Sequence, residues 1–317
     1  MQSDPFAGVR WIWMNGALRE FEKATVHVLA HGLHYGSAMF EGIRCYETPG
    51  GPAVFRLPEH LRRLEDSCRI YRMGIPYSRE ELTRAVLATI AANGLSSCYI
   101  RPIVFRGFGS VGVSPLGAPV EVAIGAWPWG AYLGAEALEQ GVDVRVSSWR
   151  RANPDSAPAT AKAAGNYLTS QLVKMEAGLD GYAEGIALDA QGLVSEGSAE
   201  NLFLVRDGEL LTPPVASAIL PGITRDAVVV LARDLGLSLR EAAIPRGMLY
   251  TADELFFSGT AVEVTPIRSV DRIPVGDGRP GPITRRLMRE LLGIARGEIA
   301  DRHGWLTPVP EPAAGPA

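Results

Sequence analysis

Residues 159–167 read Ala-Thr-Ala-Lys-Ala-Ala-Gly-Asn-Tyr, a run of small residues that ends where an apolar helix is predicted to begin. Lys162, at the centre of this run, is one of only three lysines in a chain of 317 residues. An amine can lose its proton and attack a carbonyl carbon, which a guanidinium cannot do. Small neighbours leave room for a bulky group on Nζ, so the run predicts a lysine that reacts with a carbonyl.

A second interpretation of Lys162 stays open on this local sequence. A lysine at the start of a helix often extends its charged end into water along an apolar surface, with no chemical role. The other two lysines, Lys23 and Lys174, have polar or charged neighbours and are predicted to be ordinary surface residues. Other residues suited to binding a carbonyl compound are needed to distinguish the two interpretations.

The composition is that of an ordinary globular protein. It is 47% hydrophobic, and 31 lysines and arginines against 35 aspartates and glutamates give a net charge of −4. The length suits two domains or one large one. Because no basic face is apparent, nucleic acid and anionic membranes are not expected as partners.

The sequence shows no pattern that predicts disulfide bonds, a signal peptide or a membrane-spanning segment. Cys45, Cys68 and Cys98 are odd in number and form no C-x-x-C pair, which favours reduced thiols. Residues 1–5 lack the basic and apolar regions of a signal peptide, and no apolar run reaches membrane-spanning length. We therefore predict a soluble, cytoplasmic protein.

Turn and periodicity signals divide the chain into a small N-terminal α+β domain (1–128), an interdomain loop (129–137), a larger domain (138–307) and a disordered tail (308–317). Asn15-Gly16 predicts a hairpin, and residues 26–29 are predicted to continue as a strand. Helices are predicted from Pro58 and from Ser78, where Glu81 completes a capping box. The larger domain is predicted to contain two hairpins, at Gln191-Gly192 and at Asp207-Gly208, followed by a helix over residues 224–235.

Gly222-Ile223-Thr224, at the start of this last helix, forms a candidate anion site. Free backbone N–H groups and the positive end of the helix dipole suit a phosphate, and Thr224 adds a hydroxyl. An ordinary Pro-Gly helix start is the alternative. The sequence has no Walker motif and no G-x-G-x-x-G after a strand, so the phosphate is not expected to be part of a nucleotide.

Glu196 lies among small residues at a predicted strand end, in Val194-Ser195-Glu196-Gly197-Ser198. A carboxylate there could hold a protonated ring nitrogen, although a solvated turn glutamate would look the same. Lys162, the anion site and Glu196 together are the groups needed to bind pyridoxal phosphate (PLP), which has an aldehyde, a phosphate and a basic ring nitrogen.

The chain resembles the bacterial branched-chain amino acid aminotransferases, which have the D-amino-acid-transaminase-like (type IV) PLP fold. The resemblance runs from about Val9 to Trp305 and implies a two-domain α/β architecture with a larger, barrel-like C-terminal domain. It rests on motifs in one order: His34-Tyr35-Gly36, Phe40-Glu41-Gly42-Ile43-Arg44, Val54-Phe55-Arg56, Tyr99-Ile100-Arg101-Pro102, residues 128–134, Ala161-Lys162-Ala163, Gly165-Asn166-Tyr167-Leu168, Ser195-Glu196-Gly197, Leu220-Pro221-Gly222-Ile223-Thr224-Arg225 and Ser258-Gly259-Thr260-Ala261.

The resemblance implies a role for each matching residue. Lys162 would form the Schiff base and shuttle the substrate proton. The other coenzyme contacts implied are Glu196 at the pyridine nitrogen, Tyr167 beside O3′, Arg56, Gly222, Ile223, Thr224 and Thr260 at the phosphate, and Leu220 on the ring face. The substrate contacts implied are Phe40, Tyr35, Tyr132 and Trp129 around the side chain, Tyr99, Thr260 and Ala261 at the α-carboxylate, and Arg101 at the distal carboxylate of glutamate.

These roles imply exchange of an amino group between leucine, isoleucine or valine and 2-oxoglutarate by a ping-pong mechanism, with amino acids and 2-oxo acids as the small-molecule partners. Tyr35 reaching in from a neighbouring subunit implies a homo-oligomer, at least a dimer, with hexamers known among relatives. Ala199 departs from the glycine that many relatives have, which leaves the breadth of substrates open.

Other functions remain as alternatives. Within the same fold they are a D-amino acid or (R)-amine transaminase and aminodeoxychorismate lyase; outside it, a non-catalytic protein that binds small acids. His27, His31 and His34 have a spacing that can mimic metal ligands, but the stretch is predicted as strand and loop without H-E-x-x-H, so no metal is expected. Ser195 and Ser198 lack the G-x-S-x-G turn of serine hydrolases.

Overall fold

The computed structural model describes residues 4–130 and 134–310, which form two compact units. The first consists of Met1–Gly130, Ala161–Gly165 and Ile294–Ala317, and the second of Ala131–Thr160 and Asn166–Gly293. The predicted division differs in two places. The Lys162 segment and the C-terminal segment were assigned to the larger domain, but their contacts belong to the first unit.

An eight-stranded sheet is the centre of the first unit, in the order β17-β5-β4-β6-β7-β1-β2, with β3 paired to β6. All its pairings are antiparallel. Its strands are β1 (Trp11–Met14), β2 (Ala17–Glu20), β3 (Ala38–Phe40), β4 (Ile43–Thr48), β5 (Gly51–Phe55), β6 (Cys98–Arg106), β7 (Val120–Pro128) and β17 (Leu306–Pro308). The predicted hairpin at Asn15-Gly16 is confirmed as the β1–β2 turn.

Two helices of the first unit pack on the sheet, and a third is only one turn long. They are α2 (Leu57–Ile70), α3 (Arg79–Ala92) and the short α1 (His31–Tyr35). Leu61, Leu64 and Cys68 of α2 are buried in one apolar cluster with strand residues such as Ile43 and Ile100. The capping box predicted at Ser78 and Glu81 is confirmed, because each side chain bonds the other residue's backbone N–H.

One predicted strand of the first unit is wrong. Residues 26–29 form a loop in which Val26, Val28 and Leu29 are exposed. Their β-branched and apolar character suggested a strand, but a strand needs a partner for its backbone groups, and no strand of the described chain pairs with this segment.

A nine-stranded mixed sheet is the centre of the second unit, in the order β10-β9-β8-β15-β14-β11-β12-β13, with β16 paired to β15. The pairs β8–β9, β8–β15 and β12–β13 are parallel. The strands are β8 (Val142–Arg150), β9 (Glu184–Leu188), β10 (Val194–Gly197), β11 (Asn201–Arg206), β12 (Glu209–Thr212), β13 (Leu239–Glu241), β14 (Glu254–Gly259), β15 (Glu263–Val270) and β16 (Ile273–Pro274). Both hairpins predicted for this half are confirmed.

The helices of this half are α4 (Ala135–Gln140), α5 (Tyr167–Leu179), α6 (Ile223–Asp234) and α7 (Pro282–Ala295). The predicted helix over 224–235 is confirmed as α6, shifted by one residue. An apolar cluster between the sheet and its loops includes Val144, Ile186, Leu202, Phe257 and Ile267. Mixed helices and strands in both units confirm the α/β class.

The end of the chain is ordered further than predicted. Leu306–Pro308 pairs with β5, and the backbone N–H of Val309 donates to Pro52 at 2.8 Å, so the tail predicted from residue 308 begins in a strand. Residues 311–317 of that tail, and Tyr132, lie outside the described residues. Across the described ranges, each helix is too short or too polar to cross a bilayer.

Candidate active site

The main chain of Lys162 is held on both sides by the first unit. Its carbonyl accepts a hydrogen bond from the N–H of Phe40 at 3.1 Å, and Ala163 forms an isolated antiparallel bridge with Met39. Its own N–H donates to the Ser67 hydroxyl at 2.9 Å. Ala161 and Ala163, the neighbours of Lys162, are almost fully buried against the sheet. Their small side chains allow the main chain to approach the sheet this closely.

The amine of Lys162 is directed over an aromatic ring instead of into solvent. Nζ lies 5.0 Å from the centroid of Phe40, and the residue is half-buried. Burial lowers the pKa of the amine, and the Arg63 guanidinium adds to this effect. Despite the opposing influence of Glu41 and Tyr99, the pKa falls to about 8. An amine that deprotonates this readily favours the nucleophile over the solvated surface lysine.

Four predicted substrate contacts, Phe40, Tyr99, Arg101 and Trp129, belong to the first unit and lie close together. Arg101 Cζ lies 4.8 Å from the Phe40 ring and 5.3 Å from the Tyr99 ring. The rings of Tyr99 and Trp129 are 4.9 Å apart. Arg101 Nε is buried, and no hydrogen-bond partner for it occurs among residues 4–130 and 134–310. A carboxylate acceptor would satisfy this donor.

Space beside this group is created by small residues. A cavity of about 650 Å³ is lined by Arg101, Ala164 and mainly apolar side chains such as Ile103 and Trp127. Gly42 is obligatory beside the Tyr99 hydroxyl, since a Cβ at that position would lie 1.8 Å from Tyr99 Oη. An apolar cavity with an arginine at its edge can accept either a branched alkyl chain or an acidic one.

Arg56 is buried within the first unit, whereas Tyr35 is exposed. Arg56 adopts a left-handed backbone conformation, φ 56°, with Nε bonded to Glu59 at 2.7 Å and the guanidinium 5.0 Å from the Trp305 ring. Tyr35 is 46% exposed, and its hydroxyl donates to the carbonyl of Val111. The structure therefore gives Tyr35 no enclosed place within its own chain.

Glu196, in the second unit, is held as a carboxylate by three donors. Arg151 Nη2 lies 2.9 Å from Oε1, while the Asn201 amide and the Leu220 N–H each donate to Oε2 at 3.0 Å. Asn201 also donates to the Leu220 carbonyl at 2.9 Å, so it clamps Leu220 to Glu196. The solvated turn glutamate is ruled out, because Glu196 is buried. Arg151 and Asn201 were missed from sequence, where nothing marks them as its partners.

The predicted anion site is the N-terminus of α6. Gly222 is its N-cap, Ile223 its first residue, and Thr224 is buried. A Cβ on Gly222 would lie 2.0 Å from Asn201 Oδ1, so glycine is needed where the helix starts against the Asn201 side chain. A 12-residue helix with no side-chain cap at its start can hold a phosphate.

The remaining predicted contacts of the second unit lie at element ends. Thr260 and Ala261 lie in the tight turn between β14 and β15, and Tyr167 is the first residue of α5.

The N–H of Ala199 donates to the buried carboxyl of the adjacent Glu200. The pKa of Glu200 is raised well above its ordinary value by burial and by Glu184.

A buried charged cluster behind Lys162 was not predicted. Glu41 accepts hydrogen bonds from Arg63 Nε at 2.7 Å, from Arg63 Nη2 at 2.8 Å and from His60 Nδ1 at 2.8 Å. Burial would raise the pKa of Glu41, but Arg63 and His60 hold it well below its usual range. Burial also lowers the pKa of His60. Helical spacing of His60 and Arg63 on one face of α2 was the only available signal.

Lys174 and the histidines of the first unit have structural contacts. Lys174 was predicted as an ordinary surface lysine, but its Nζ donates to the buried Glu184 carboxylate at 2.8 Å. His31 contacts Ser37 and the Gly112 carbonyl, and His34 contacts the Val28 carbonyl. Within the described ranges, no group of three or more His, Cys, Asp or Glu side chains could hold a metal ion.

Comparison with known proteins covers almost the whole chain. The sequence model for amino-transferase class IV matches residues 38–270. The branched-chain-amino-acid aminotransferase of Salmonella typhimurium is 55% identical over 300 residues, 94% of this chain and 97% of that protein. The crystal structure of the Escherichia coli branched-chain amino acid aminotransferase has a TM-score of 0.94 at 54% identity, with 95% and 100% of the two chains covered. The T.th. branched-chain amino acid aminotransferase complexed with N-(5'-phosphopyridoxyl)-L-glutamate has a TM-score of 0.91 at 45% identity, with 95% and 99% covered.

Proposed function

The chain belongs to the amino-transferase class IV family, and we propose that Lys162 is the residue through which it transfers amino groups. Its activity is the transamination of branched-chain amino acids with pyridoxal phosphate as the coenzyme. The observation that carries the assignment of Lys162 is an amine over the Phe40 ring whose pKa is lowered to about 8, on a main chain fixed at both its N–H and its carbonyl.

The residues present fit the coenzyme, as judged from their chemistry. Lys162 supplies an amine for its aldehyde, Glu196 a fixed carboxylate for its ring nitrogen, and the start of α6 a set of N–H donors for its phosphate. When bound, the coenzyme supplies an electron sink that makes the substrate Cα proton acidic. Arg56, Thr224 and Thr260 are the further residues proposed for the phosphate, with Ile223 contributing its backbone N–H, Tyr167 for the coenzyme hydroxyl and Leu220 for its ring face.

Glu196 is proposed to keep the ring nitrogen protonated. Arg151, Asn201 and the Leu220 N–H orient its carboxylate and favour its charged form. A carboxylate that stays ionised attracts a proton onto a neighbouring basic nitrogen. Arg151 therefore acts on the coenzyme only through Glu196, as a residue that positions and charges it.

Lys162 is proposed to move the substrate proton. With the coenzyme bound, its Nζ would accept the proton from the substrate Cα and hold it for return within the same site. A general base works best when its pKa lies near the operating pH, which the lowered pKa of Lys162 satisfies better than that of an exposed lysine.

Glutamate and 2-oxoglutarate are the proposed second substrate pair, in line with the glutamate adduct bound by the T.th. relative. Arg101 offers a buried Nε for the distal carboxylate, and the cavity around it is mainly apolar. A charge-assisted hydrogen bond in such surroundings offsets part of the cost of burying the carboxylate. Phe40, Trp129 and Tyr132 would contact the branched side chain, with Tyr99, Thr260 and Ala261 at the α-carboxylate.

A homo-oligomer of at least two subunits is the proposed working form, and a hexamer is the larger assembly that the family resemblance implies. Helix α1 and loops of the first unit expose several large apolar side chains together with Tyr35: Val28, Leu29, Leu33, Val111, Val113 and Leu116. Large apolar side chains that are this exposed are typical of surfaces that contact another protein when they lie together. Tyr35 would then line the substrate cavity of the neighbouring subunit. We also propose a cytoplasmic location, which suits the free cysteines Cys45, Cys68 and Cys98.

The proposal is tested by substituting Lys162 and assaying leucine with 2-oxoglutarate. Lys162→Ala should lower turnover by on the order of 10⁴-fold or more, as expected for loss of both the nucleophile and the proton carrier. Lys23→Ala, which removes an exposed lysine paired with Glu20, is the control and should retain full activity. Substantial turnover by Lys162→Ala would contradict the assignment, and fast consumption of D-alanine with negligible use of leucine would contradict the substrate class.

A further inference from the structure

A buried hydroxyl contacts the main chain of Lys162, and the proposed chemistry does not use it. Ser67 lies in the last turns of α2 and is fully buried. Its Oγ accepts the Lys162 N–H at 2.9 Å across 95 residues of sequence. It belongs to no motif of the coenzyme or substrate site, and nothing in its local sequence marks it.

The direction of the two hydrogen bonds at Ser67 is fixed by the number of its protons. A serine hydroxyl has one hydrogen and can accept with its lone pairs. The hydrogen is donated to the Arg63 carbonyl, at 2.8 Å, one helical turn earlier. This bond stops the hydroxyl from rotating, and one of its lone pairs is left to accept the Lys162 N–H. Ser67 is therefore a preset acceptor at the lysine.

The helix that presents Ser67 is itself anchored to the strand segment on the other side of Lys162. Arg63 of α2 holds the Glu41 carboxylate through two hydrogen bonds, and Glu41 follows Phe40 in sequence. Phe40 donates its N–H to the Lys162 carbonyl at 3.1 Å. The connections run from Lys162 through Ser67, Arg63 and Glu41 to Phe40 and back to Lys162, forming a closed ring within one unit.

We propose that Ser67 is a positioning residue that fixes the Lys162 main chain so that its side chain returns to one place after each half-reaction. This inference rests on the proposed role of Lys162. The lysine side chain is long and flexible, and in the proposed role its amine would have to return to the position of the coenzyme aldehyde in every cycle. A backbone free to shift would spread its end over a larger volume, and displacements near 1 Å can cost on the order of 100-fold in rate.

Ser67→Ala is the test. We expect it to lower kcat with leucine by on the order of ten-fold, with KM for leucine changed by less than about two-fold, because the substrate contacts are untouched. The amide hydrogen of Lys162 should exchange faster with deuterium in the coenzyme-free protein, since the hydroxyl that accepts it is removed. This second readout does not depend on activity.

Thr89→Val is the matched control. Thr89 is fully buried in α3 of the same unit, and its hydroxyl likewise donates to a carbonyl one turn earlier, at 2.7 Å. That hydroxyl does not bond Lys162. We expect wild-type kcat and wild-type exchange at Lys162, whatever the change in stability. Ser67→Cys, which keeps a similar shape but replaces oxygen by a weak sulfur acceptor, should reproduce the Ser67→Ala result if the alanine variant does not fold.

Either of two results would overturn the proposal: wild-type kcat in a folded Ser67→Ala or Ser67→Cys protein, or equal losses in the Ser67 variants and Thr89→Val. Either result can occur while Lys162→Ala is inactive. In that case the positioning role of Ser67 is refuted and the proposed function of Lys162 stands. If Lys162→Ala is active, the proposed function itself fails, whatever Ser67 does.

Discussion

At the scale of single residues, Lys162 differs from the other lysines in what surrounds its amine. Lys23 is exposed and pairs with Glu20, and Lys174 pairs with a buried carboxylate. Lys162 instead faces the Phe40 ring, and Arg63 and Arg101 both disfavour its charge. The three lysines thus differ in their neighbours: one is solvated, one pairs with a buried acid, and one is the proposed nucleophile.

The lowered pKa of Lys162 predicts when the coenzyme-free protein reacts with acylating reagents. A group whose pKa is about 8 is mostly deprotonated above that pH, and only the free amine attacks. Labelling of Lys162 by a small acylating reagent should rise up to about pH 8 and then level off, as followed by mass spectrometry. Exposed Lys23 in the same sample serves as the reference. A rate for Lys162 that is still climbing above about pH 10 would contradict the lowered pKa.

Arg101 predicts a difference between the two amino donors. Arg101→Leu removes the cation proposed to meet the distal carboxylate of glutamate but keeps an apolar side chain for leucine. We expect kcat/KM for glutamate to fall by on the order of 100-fold, the equivalent of about 3 kcal/mol for a charged hydrogen bond, and kcat/KM for leucine to fall far less. Steady-state assays with each donor measure both. Equal losses would show that Arg101 does not distinguish the two acids.

At the scale of elements, α2 and β3–β4 are joined by charge in addition to apolar packing. Glu41, His60 and Arg63 are almost fully buried, so water cannot solvate them. The hydrogen bonds within the cluster take the place of that solvation. The cluster lies directly behind the strand residue that bonds Lys162. Its geometry links the stability of the first unit to the placement of the lysine.

Glu41→Gln should therefore destabilise the protein strongly. It leaves the buried Arg63 cation without its anionic partner, which costs about 3–5 kcal/mol in the free energy of unfolding. Urea denaturation of the two proteins measures the difference. Glu65→Gln, which breaks the exposed pair with Arg79, is the control and should cost less than about 1 kcal/mol. Similar costs for both substitutions would show that the buried cluster contributes little.

Individual elements were largely predictable from local signals. The Asn15-Gly16 turn and the capping box at Ser78 have geometric requirements that few residues meet, and both predictions are confirmed. Residues 26–29 failed because a strand depends on a partner elsewhere in the chain. Ser67, Arg63 and Glu41 could not be predicted as a group around Lys162, because they lie far apart in sequence and none has an unusual local pattern. The motifs at Lys162, Glu196 and Gly222 could be singled out from the sequence because the coenzyme chemistry proposed for them restricts their residue types.

At the scale of the whole molecule, the exposed apolar loops of the first unit need an explanation beyond a single chain. Val28 is 70% exposed and Leu33 is 66% exposed, close in sequence to Tyr35. Exposed side chains of this size in a group are costly in water unless another surface covers them. A second copy of the chain is the proposed cover.

Val28→Asp tests that proposal. A charge in the covered surface should separate the subunits and lower turnover, because Tyr35 would no longer reach a neighbouring cavity. Light scattering after size-exclusion chromatography gives the mass, and the leucine assay gives the activity. Leu179→Asp alters an 88% exposed leucine at the end of α5 and should change neither. An oligomer of unchanged mass and activity in Val28→Asp would exclude this surface as the contact.

The most direct test of the account is reduction of the pyridoxal-phosphate-loaded protein with borohydride, followed by peptide mapping. The three lysines lie in different peptides, so the position of the reduced coenzyme is unambiguous. We predict one phosphopyridoxyl group per chain, on Lys162, and none when the Lys162→Ala protein is incubated with the coenzyme and reduced in the same way. Attachment to Lys23 or Lys174, or no attachment at all, would contradict it.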